Sequence, residues 1–252
     1  MSSREALRQR LGPWPTGPTI GYMPTLRAVI IDWGGVLTQP IADAVRDWIA
    51  ADKIDWDSYL AAVGPWLSDA YNPAYSTAYQ DIRDRADGYD ANVNPVHVLE
   101  RGECTVAWFE RLLAERLVRT DGGQVLADGL LTRMLSASRP DPVMYQLIRD
   151  LRGKGVRTAL LSNSWGPSGY ERQDFPHLFD AVVISAEVGM RKPEPRIFHH
   201  AAELLNTSPD QCVFVDDLET NVKAAVSLGM TGVLHTDPAS TAQRLTELFA
   251  DR

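Results

Sequence analysis

Residues 28–38 read AVIIDWGGVLT, and no other stretch restricts the fold as much. The four apolar residues Ala28–Ile31 run without period-two alternation. Such a run suits a strand covered on both faces, as in a parallel sheet, rather than one with a wet face. Asp32 follows at the strand's end. In open α/β sheets, ligands bind beyond the carboxyl ends of the strands. Gly34 and Gly35 let the backbone turn sharply and approach a ligand closely. A carboxylate there is poorly explained by packing, since charged groups are rarely buried without a partner. Two readings stand at this point: Asp32 caps a turn, or it faces a ligand.

The rest of the chain continues the α/β pattern after a long interruption. Asp141 and Pro142 make an N-cap with proline at the first helical position, opening a helix over Val143–Lys154 that Gly155 closes. Strands are then expected at Val156–Leu161, Ala181–Ser185, Cys212–Val215 and Thr231–Leu234. A turn or short helix at Phe175–Phe179 and helices at Arg196–Leu205, Leu218–Leu228 and Thr241–Phe249 separate and follow them, and GMRKPEP (Gly189–Pro195) forms a rigid basic loop. Strands joined by helices call for a parallel sheet with right-handed crossovers. Between Pro40 and Arg139 no strand run occurs. Helical spacing appears at Ile41–Asp52, Trp56–Leu67 and Thr105–Val118, with Thr105 as an N-cap. Trp48, Trp56 and Trp108 read as core of this region. Tyr71–Pro95 reads as an irregular excursion, and Tyr71, Tyr75 and Tyr79 share a face if it is helical. The expected division is an N-terminal arm (1–26), a core made of 27–39 and 140–252, and a mostly helical insert over 40–139. Trp14 and Tyr22 can pin the arm to the body; a disordered tail is the other reading.

Bulk properties exclude some partners. The 252 residues carry a formal charge of −8, with a pI near 5.1. That argues against nucleic acid or an anionic membrane, which want a basic patch. A small anionic substrate is compatible, because one lysine and a metal ion reverse the local field. Cys104 and Cys212 lie far apart and read as free buried thiols in a reducing compartment. No apolar run approaches the ~18 residues of a membrane span, and no signal-peptide core opens the chain. The expected location is cytoplasmic; the oligomeric state is not readable.

Four strand ends now carry polar residues: Asp32; Ser162 with Asn163; Lys192 just after the third strand; and Asp216 with Asp217. A parallel sheet brings them to one edge. Three carboxylates, one ammonium and one hydroxyl there are costly unless they bind something. Mg²⁺ suits the carboxylates, because it prefers oxygen ligands and shares them with phosphate. Lys192 and Ser162 suit phosphate oxygens. A carboxylate beside such a site can attack phosphorus and form an aspartyl-phosphate.

The stretches IIDWGGVLT, LLSNS, GMRKPEPRIF and VFVDDLETNV resemble the haloacid dehalogenase superfamily, in its subgroup with a helical cap inserted after strand one. The resemblance covers the core from Ala28 to Leu234. It implies a Rossmann-like parallel sheet with Asp32 as nucleophile and metal ligand. Ser162 would hold the phosphoryl group, with Asn163 and Gly35 beside it. Lys192 would neutralise both phosphate and nucleophile. Asp217, assisted by Asp216, would hold Mg²⁺ with the backbone carbonyl of Gly34, and Asn221 would orient Asp217. Among superfamily members the chain looks most like small sugar-phosphate phosphatases. It also resembles hydrolase-like domains fused to acyl-CoA dehydrogenases or to epoxide hydrolases.

One departure matters. The phosphatases it resembles carry Asp-x-Asp, the second aspartate being the general acid/base; here that position is Gly34. Proton transfer of this kind contributes ~10²–10⁴ in rate. Its loss matters least for a weakly basic leaving group, such as an anomeric hydroxyl. Two functional readings follow: a Mg²⁺-dependent phosphatase acting on a small phosphorylated metabolite, or a weak or inactive relative that keeps the pocket for binding. Lys53, in a polar setting, is a poor Schiff-base candidate. His199 and His200 read as one packed and one solvated; His97, His177 and His235 lack zinc spacing. Trp165 and Tyr170 are placed to edge the pocket.

Overall fold

The computed structural model describes residues 25–70, 94–167 and 169–250. Five strands, β1 (Ala28–Ile31), β2 (Arg157–Ser162), β3 (Ala181–Ile184), β4 (Cys212–Asp216) and β5 (Thr231–Leu234), form one parallel sheet in the order β3-β2-β1-β4-β5. The chain steps outward from β1 to β3, then crosses to the other side of β1 for β4. That reversal opens a crevice beyond the carboxyl ends of β1 and β4.

Between β1 and β2 lie α1 (Ile41–Ala51), α2 (Trp56–Ala70), α3 (Pro95–Glu100), α4 (Val106–Ala114), α5 (Leu130–Leu135) and α6 (Pro142–Gly153). After β2 come α7 (Phe175–Leu178), α8 (Ser185–Val188), α9 (Pro195–Leu204), α10 (Glu219–Ser227) and α11 (Pro238–Leu248). Strand residues alternate between two apolar layers. Val29, Ile31, Leu160 and Val215 pack with Met144 and Ile148 of α6 and Leu245 of α11. Ala28, Ile30, Leu161 and Phe214 pack with Ile197 and Phe198 of α9 and Ala225 of α10. Both faces are covered, so the β1 run needs no polar alternation. Each fully buried aliphatic or phenylalanine side chain contributes ~1.5–3 kcal/mol.

Helices α1–α5 assemble a cluster of their own around Trp48, Val63, Leu99, Phe109, Leu113 and Leu131. Among the described residues between 40 and 139 there is no strand, only an isolated bridge from Ile54 to Arg119. The chain leaves and re-enters the sheet layer side by side, with Gln39 N donating to Arg139 O and Asp141 N to Leu37 O, both at 2.8 Å. The expected caps form. The Asp141 carboxylate accepts from Val143 N and Met144 N, and the Thr105 hydroxyl accepts from Trp108 N.

Several expectations need correction. Trp56 is 44% exposed at the start of α2, stacked on Tyr59, whereas Trp48 is buried and Trp108 is partly buried against the α1–α5 cluster. Cys104 is only half-buried, while Cys212 is buried; both are free thiols. Helix α8 takes Ser185 from the expected third strand and fills the stretch before the Gly189–Pro195 loop. Helix α11 begins earlier than expected, because Asp237 rather than a later residue caps it. Most of the N-terminal arm and the excursion over 71–93, with its tyrosines, fall outside the described residues. Among the described residues, no helix is long and apolar enough to cross a membrane.

Candidate active site

The strand ends converge as the parallel sheet requires. Ile31 pairs with Val215, and Asp32 N donates to Val215 O at 3.0 Å, so Asp32 and Asp216 leave adjacent strands at one level. Lys192, 1% exposed, enters from the loop between α8 and α9. Its Nζ lies 2.6 Å from Asp32 Oδ1 and 2.7 Å from Asp216 Oδ2.

Asp216 is saturated. Its Oδ1 accepts from Leu218 N at 2.8 Å, and Asn221 Nδ2 lies 3.1 Å from each carboxylate oxygen. Asn221 therefore orients Asp216, not Asp217 as expected from its position one turn on. Asp217 is exposed at the rim, but its carboxyl is turned toward the cluster beneath Gly35. Gly35 has φ +78°, and a Cβ there would sit 2.6 Å from Asp217 Oδ2. At Gly34 a Cβ would meet Ile41 Cγ1 of α1 at 3.2 Å. An aliphatic side chain thus closes the space beside position 34.

On the other flank, Ser162 ends β2, buried, with its Oγ 2.9 Å from the Tyr170 hydroxyl. Asn163 is spent on backbone: its Oδ1 accepts from Lys192 N at 2.8 Å and its Nδ2 donates to Lys192 O at 3.0 Å. Tyr170 packs with Trp33 and Phe175. Trp165 does not edge the pocket; it packs against the α1–α5 cluster and donates to Glu100 Oε1 at 3.1 Å. Lys53 pairs with Asp121 at 3.2 Å on the surface. His199 is exposed and His200 half-buried, and His235 Nδ1 meets the Thr241 hydroxyl at 2.9 Å.

Charge decides what the cluster can hold. Burial, then the Asp216 and Asp217 carboxylates, push Asp32 up to about 7 against the pull of Lys192. Loss of water, then Asp216, raise Asp217 to about 6. Burial alone would depress Lys192, but Asp216 and Asp32 outweigh it and hold the ammonium charged beyond its ordinary range. Burial raises the Tyr170 phenol, and Asp32 adds to this. One oxygen from each of Asp32, Asp216 and Asp217 lies within 4.8 Å of the others. Asn221 Oδ1, buried beside them, has no hydrogen-bond partner among the described residues. An all-oxygen set with excess negative charge fits a hard divalent cation such as Mg²⁺, and the soft-metal ligands cysteine and histidine are not in the set.

A doubly wound parallel sheet with an acid–lysine cluster at its switch point defines a class of α/β hydrolytic fold, and the comparisons identify which. The family model for haloacid dehalogenase-like hydrolases matches residues 26–229, and the chain belongs to that family. A glyceraldehyde 3-phosphate phosphatase of Methanothermobacter thermautotrophicus is 33% identical over 68% of this chain and 71% of its own length. The mouse bifunctional epoxide hydrolase 2 is 31% identical over 88% of this chain and 39% of its own. The chain spans between 19% and 58% of the length of the first curated relatives it matches. A HAD family enzyme of Bacteroides thetaiotaomicron, solved as a magnesium complex, superposes with a TM-score of 0.55 at 22% identity, covering 88% of this chain and 100% of that one. This last likeness concerns the fold.

Sequence reasoning missed Glu100. It ends α3 and pairs with Arg191, 91 positions away, so no local pattern marks it.

Proposed function

We propose that this hydrolase is a Mg²⁺-dependent phosphomonoesterase acting on a small phosphorylated metabolite, with Asp32 as nucleophile. The observation that carries the reading is Lys192 Nζ bridging Asp32 and Asp216 at 2.6 and 2.7 Å in the crevice beyond β1 and β4. The same cation that opposes protonation of Asp32 and aims it is placed to neutralise a phosphoryl oxygen brought against it.

Asp32, Asp217 and the Gly34 carbonyl would hold Mg²⁺, with Asp216 fixing Lys192 and the β4 end. When bound, Mg²⁺ supplies Lewis-acid neutralisation of phosphoryl charge. Asp32 attacks phosphorus, the bond to the leaving oxygen breaks, and an aspartyl-phosphate forms; water then releases phosphate and restores the carboxylate. Ser162 holds a phosphoryl oxygen, steadied by the Tyr170 hydroxyl. Gly35 keeps the backbone close to that group, with its own N–H donated to the Thr38 hydroxyl at 3.1 Å. Asn163 acts by fixing the Lys192 backbone, in place of the phosphate contact expected of it. Helices α1–α5 form a cap over the crevice, and the core comprises 27–39 and 140–252. The phosphatase among the relatives supports the substrate class.

Gly34 offers no acid to the leaving group, and Ile41 closes the adjoining space. Leaving oxygens that depart without a proton, as in sugar 1-phosphates, are therefore favoured over simple alkyl phosphates. The same feature favours a second reading, a binding protein that keeps the pocket without turnover. The deciding experiment is Mg²⁺-dependent release of nitrophenol from p-nitrophenyl phosphate by wild type and Asp32→Asn, followed by a phosphate-release panel. Turnover by wild type that Asp32→Asn abolishes supports the enzyme. Phosphate binding without turnover supports the binding protein.

A further inference from the structure

Glu100 is 0% exposed and Arg191 1% exposed, and they form a buried ion pair with Arg191 Nε 2.5 Å from Glu100 Oε2. The pair does not serve the α1–α5 cluster to which Glu100 belongs by sequence. Its partners Arg191, Asn163, Trp165 and Ser185 lie across the boundary, in the segments that follow β2 and β3. Glu100 Oε2 also accepts from Asn163 Nδ2 at 3.3 Å, and Oε1 accepts from Trp165 Nε1 at 3.1 Å. The Glu100 carbonyl accepts from the Ser185 hydroxyl, which in turn accepts from Ser164 N at 2.8 Å.

The next two residues dock on the same segment. Arg101 reaches Glu194 at 3.0 Å, and a Cβ at Gly102 would meet Ala186 O at 2.5 Å, so backbone lies against backbone there. Glu100 thus grips Arg191, the residue before Lys192, together with Asn163, the residue after Ser162. Asn163 in turn clamps both backbone groups of Lys192. One carboxylate from between β1 and β2 therefore ties together the two pieces proposed to hold phosphate.

We propose that Glu100 is a positioning residue: it sets Lys192 and Ser162 in register, so the phosphate pocket is complete only while α3 is docked. The inference rests on the proposed function for its catalytic consequence, but not for its geometric one. Removing the carboxylate charge takes one anchor from Arg191 and from Asn163, so the Lys192 backbone is held less tightly and the ammonium is less firmly placed beside the reacting group. Glu100 touches neither Asp32 nor Asp217, and Asp216 still holds the Lys192 ammonium, so the metal subsite changes less than the phosphate pocket.

The test compares wild type with Glu100→Gln, which keeps an acceptor but loses the charge, and with Arg191→Lys, which keeps the charge but loses the fork. Three quantities are read on folded protein: affinity for inorganic phosphate in saturating Mg²⁺, affinity for Mg²⁺ alone, and hydrogen exchange at the Lys192 amide. Expected are a tenfold or greater loss of phosphate affinity, Mg²⁺ affinity within twofold of wild type, and faster exchange at Lys192 with exchange in β1 and β4 unchanged. If wild type turns over, kcat falls at least tenfold in Glu100→Gln. A purely structural role lowers the melting temperature of both variants but leaves phosphate affinity and Lys192 exchange within twofold of wild type, and that result overturns the proposal. Should Glu100→Gln fail to fold, Arg191→Lys carries the same three readouts. Absence of any turnover in wild type sinks the proposed function alone, since the exchange comparison still decides the role of Glu100.

Discussion

Replacing Gly35 by alanine tests the metal subsite with a single methyl group. The residue has φ +78°, a left-handed conformation that costs a non-glycine residue ~1–3 kcal/mol. The new Cβ would stand 2.6 Å from Asp217 Oδ2. Ordinary C···O contact is ~3.3 Å or more, so the carboxylate must retreat by roughly 0.7 Å. Mg²⁺ demands oxygen ligands at ~2.0–2.1 Å in near-octahedral geometry, and a shift of that size removes Asp217 from the set. Disturbing even the outer groups that orient metal ligands costs ~10–100-fold in affinity, so displacing a ligand outright costs at least that, or ~1.4–2.8 kcal/mol. Calorimetric titration with Mg²⁺ and urea unfolding of the metal-free protein separate the two effects. Gly34→Ala is the control. It carries no left-handed φ, its Cβ meets only the Ile41 side chain at 3.2 Å, and Mg²⁺ affinity should stay within twofold. If Gly35→Ala binds Mg²⁺ as wild type does while losing only stability, Asp217 is not a ligand and the assignment of the subsite is wrong.

Two further outcomes follow from the same coordinates. Asp32 and Asp217 titrate at about 7 and about 6 in the fold, above the ~3.9 of an unfolded aspartate. Folded pKa values raised in this way give stability that is fully present below pH ~4 and lost as pH climbs through 6 and 7. Metal-free protein should therefore melt lower at pH 8 than at pH 5, and Mg²⁺ should raise the melting temperature at pH 8 with little effect at pH 5, where protons hold the acids. An Mg²⁺ effect equal at both pH values would refute the link. Asp141→Ala removes the acceptor for Val143 N and Met144 N at the start of α6. It should cost ~1 kcal/mol in urea unfolding and leave Mg²⁺ affinity unchanged, because the Asp141 carboxylate bonds to the α6 backbone and to none of the three acids.

What was legible in the sequence follows from the range of the forces involved. The strands were readable because the inner ones are runs buried on both faces and the edge ones remain short apolar runs between helices, and α6 because proline and aspartate punctuate its start. Helices α3, α5 and α8 went unread: with six, six and four residues they hold too few turns to show a period. The misreading of Trp56 has a similar root, since at a helix start apolarity does not say which side faces the core. The convergence of Asp32, Ser162, Lys192 and the Asp216–Asp217 pair was legible because parallel strands carry their carboxyl ends to one edge. The division of labour inside that pair was not. Asp216 is the last residue of β4 and turns inward to Lys192, whereas Asp217 begins the following turn. Glu100 left no trace, because its partners are brought to it only by the docking of α3 on the layer that holds Lys192.

That division bears on the charge balance behind the proposed cation site. Asp216 already accepts from Lys192, Asn221 and Leu218 N, and Lys192 is shared with Asp32. One buried ammonium therefore faces two carboxylates, and Asp217 stands beside them with no ion-pair partner among the described residues. Three negative charges against one positive leave the rim to choose between protonation and metal. Protonation is consistent with the raised values of Asp32 and Asp217, but it would quench Asp32 in the nucleophilic role proposed for it. A divalent ion compensates the same excess while leaving Asp32 ionised, so the acidity that destabilises the metal-free rim is what gives the loaded rim its affinity for an oxygen-seeking cation.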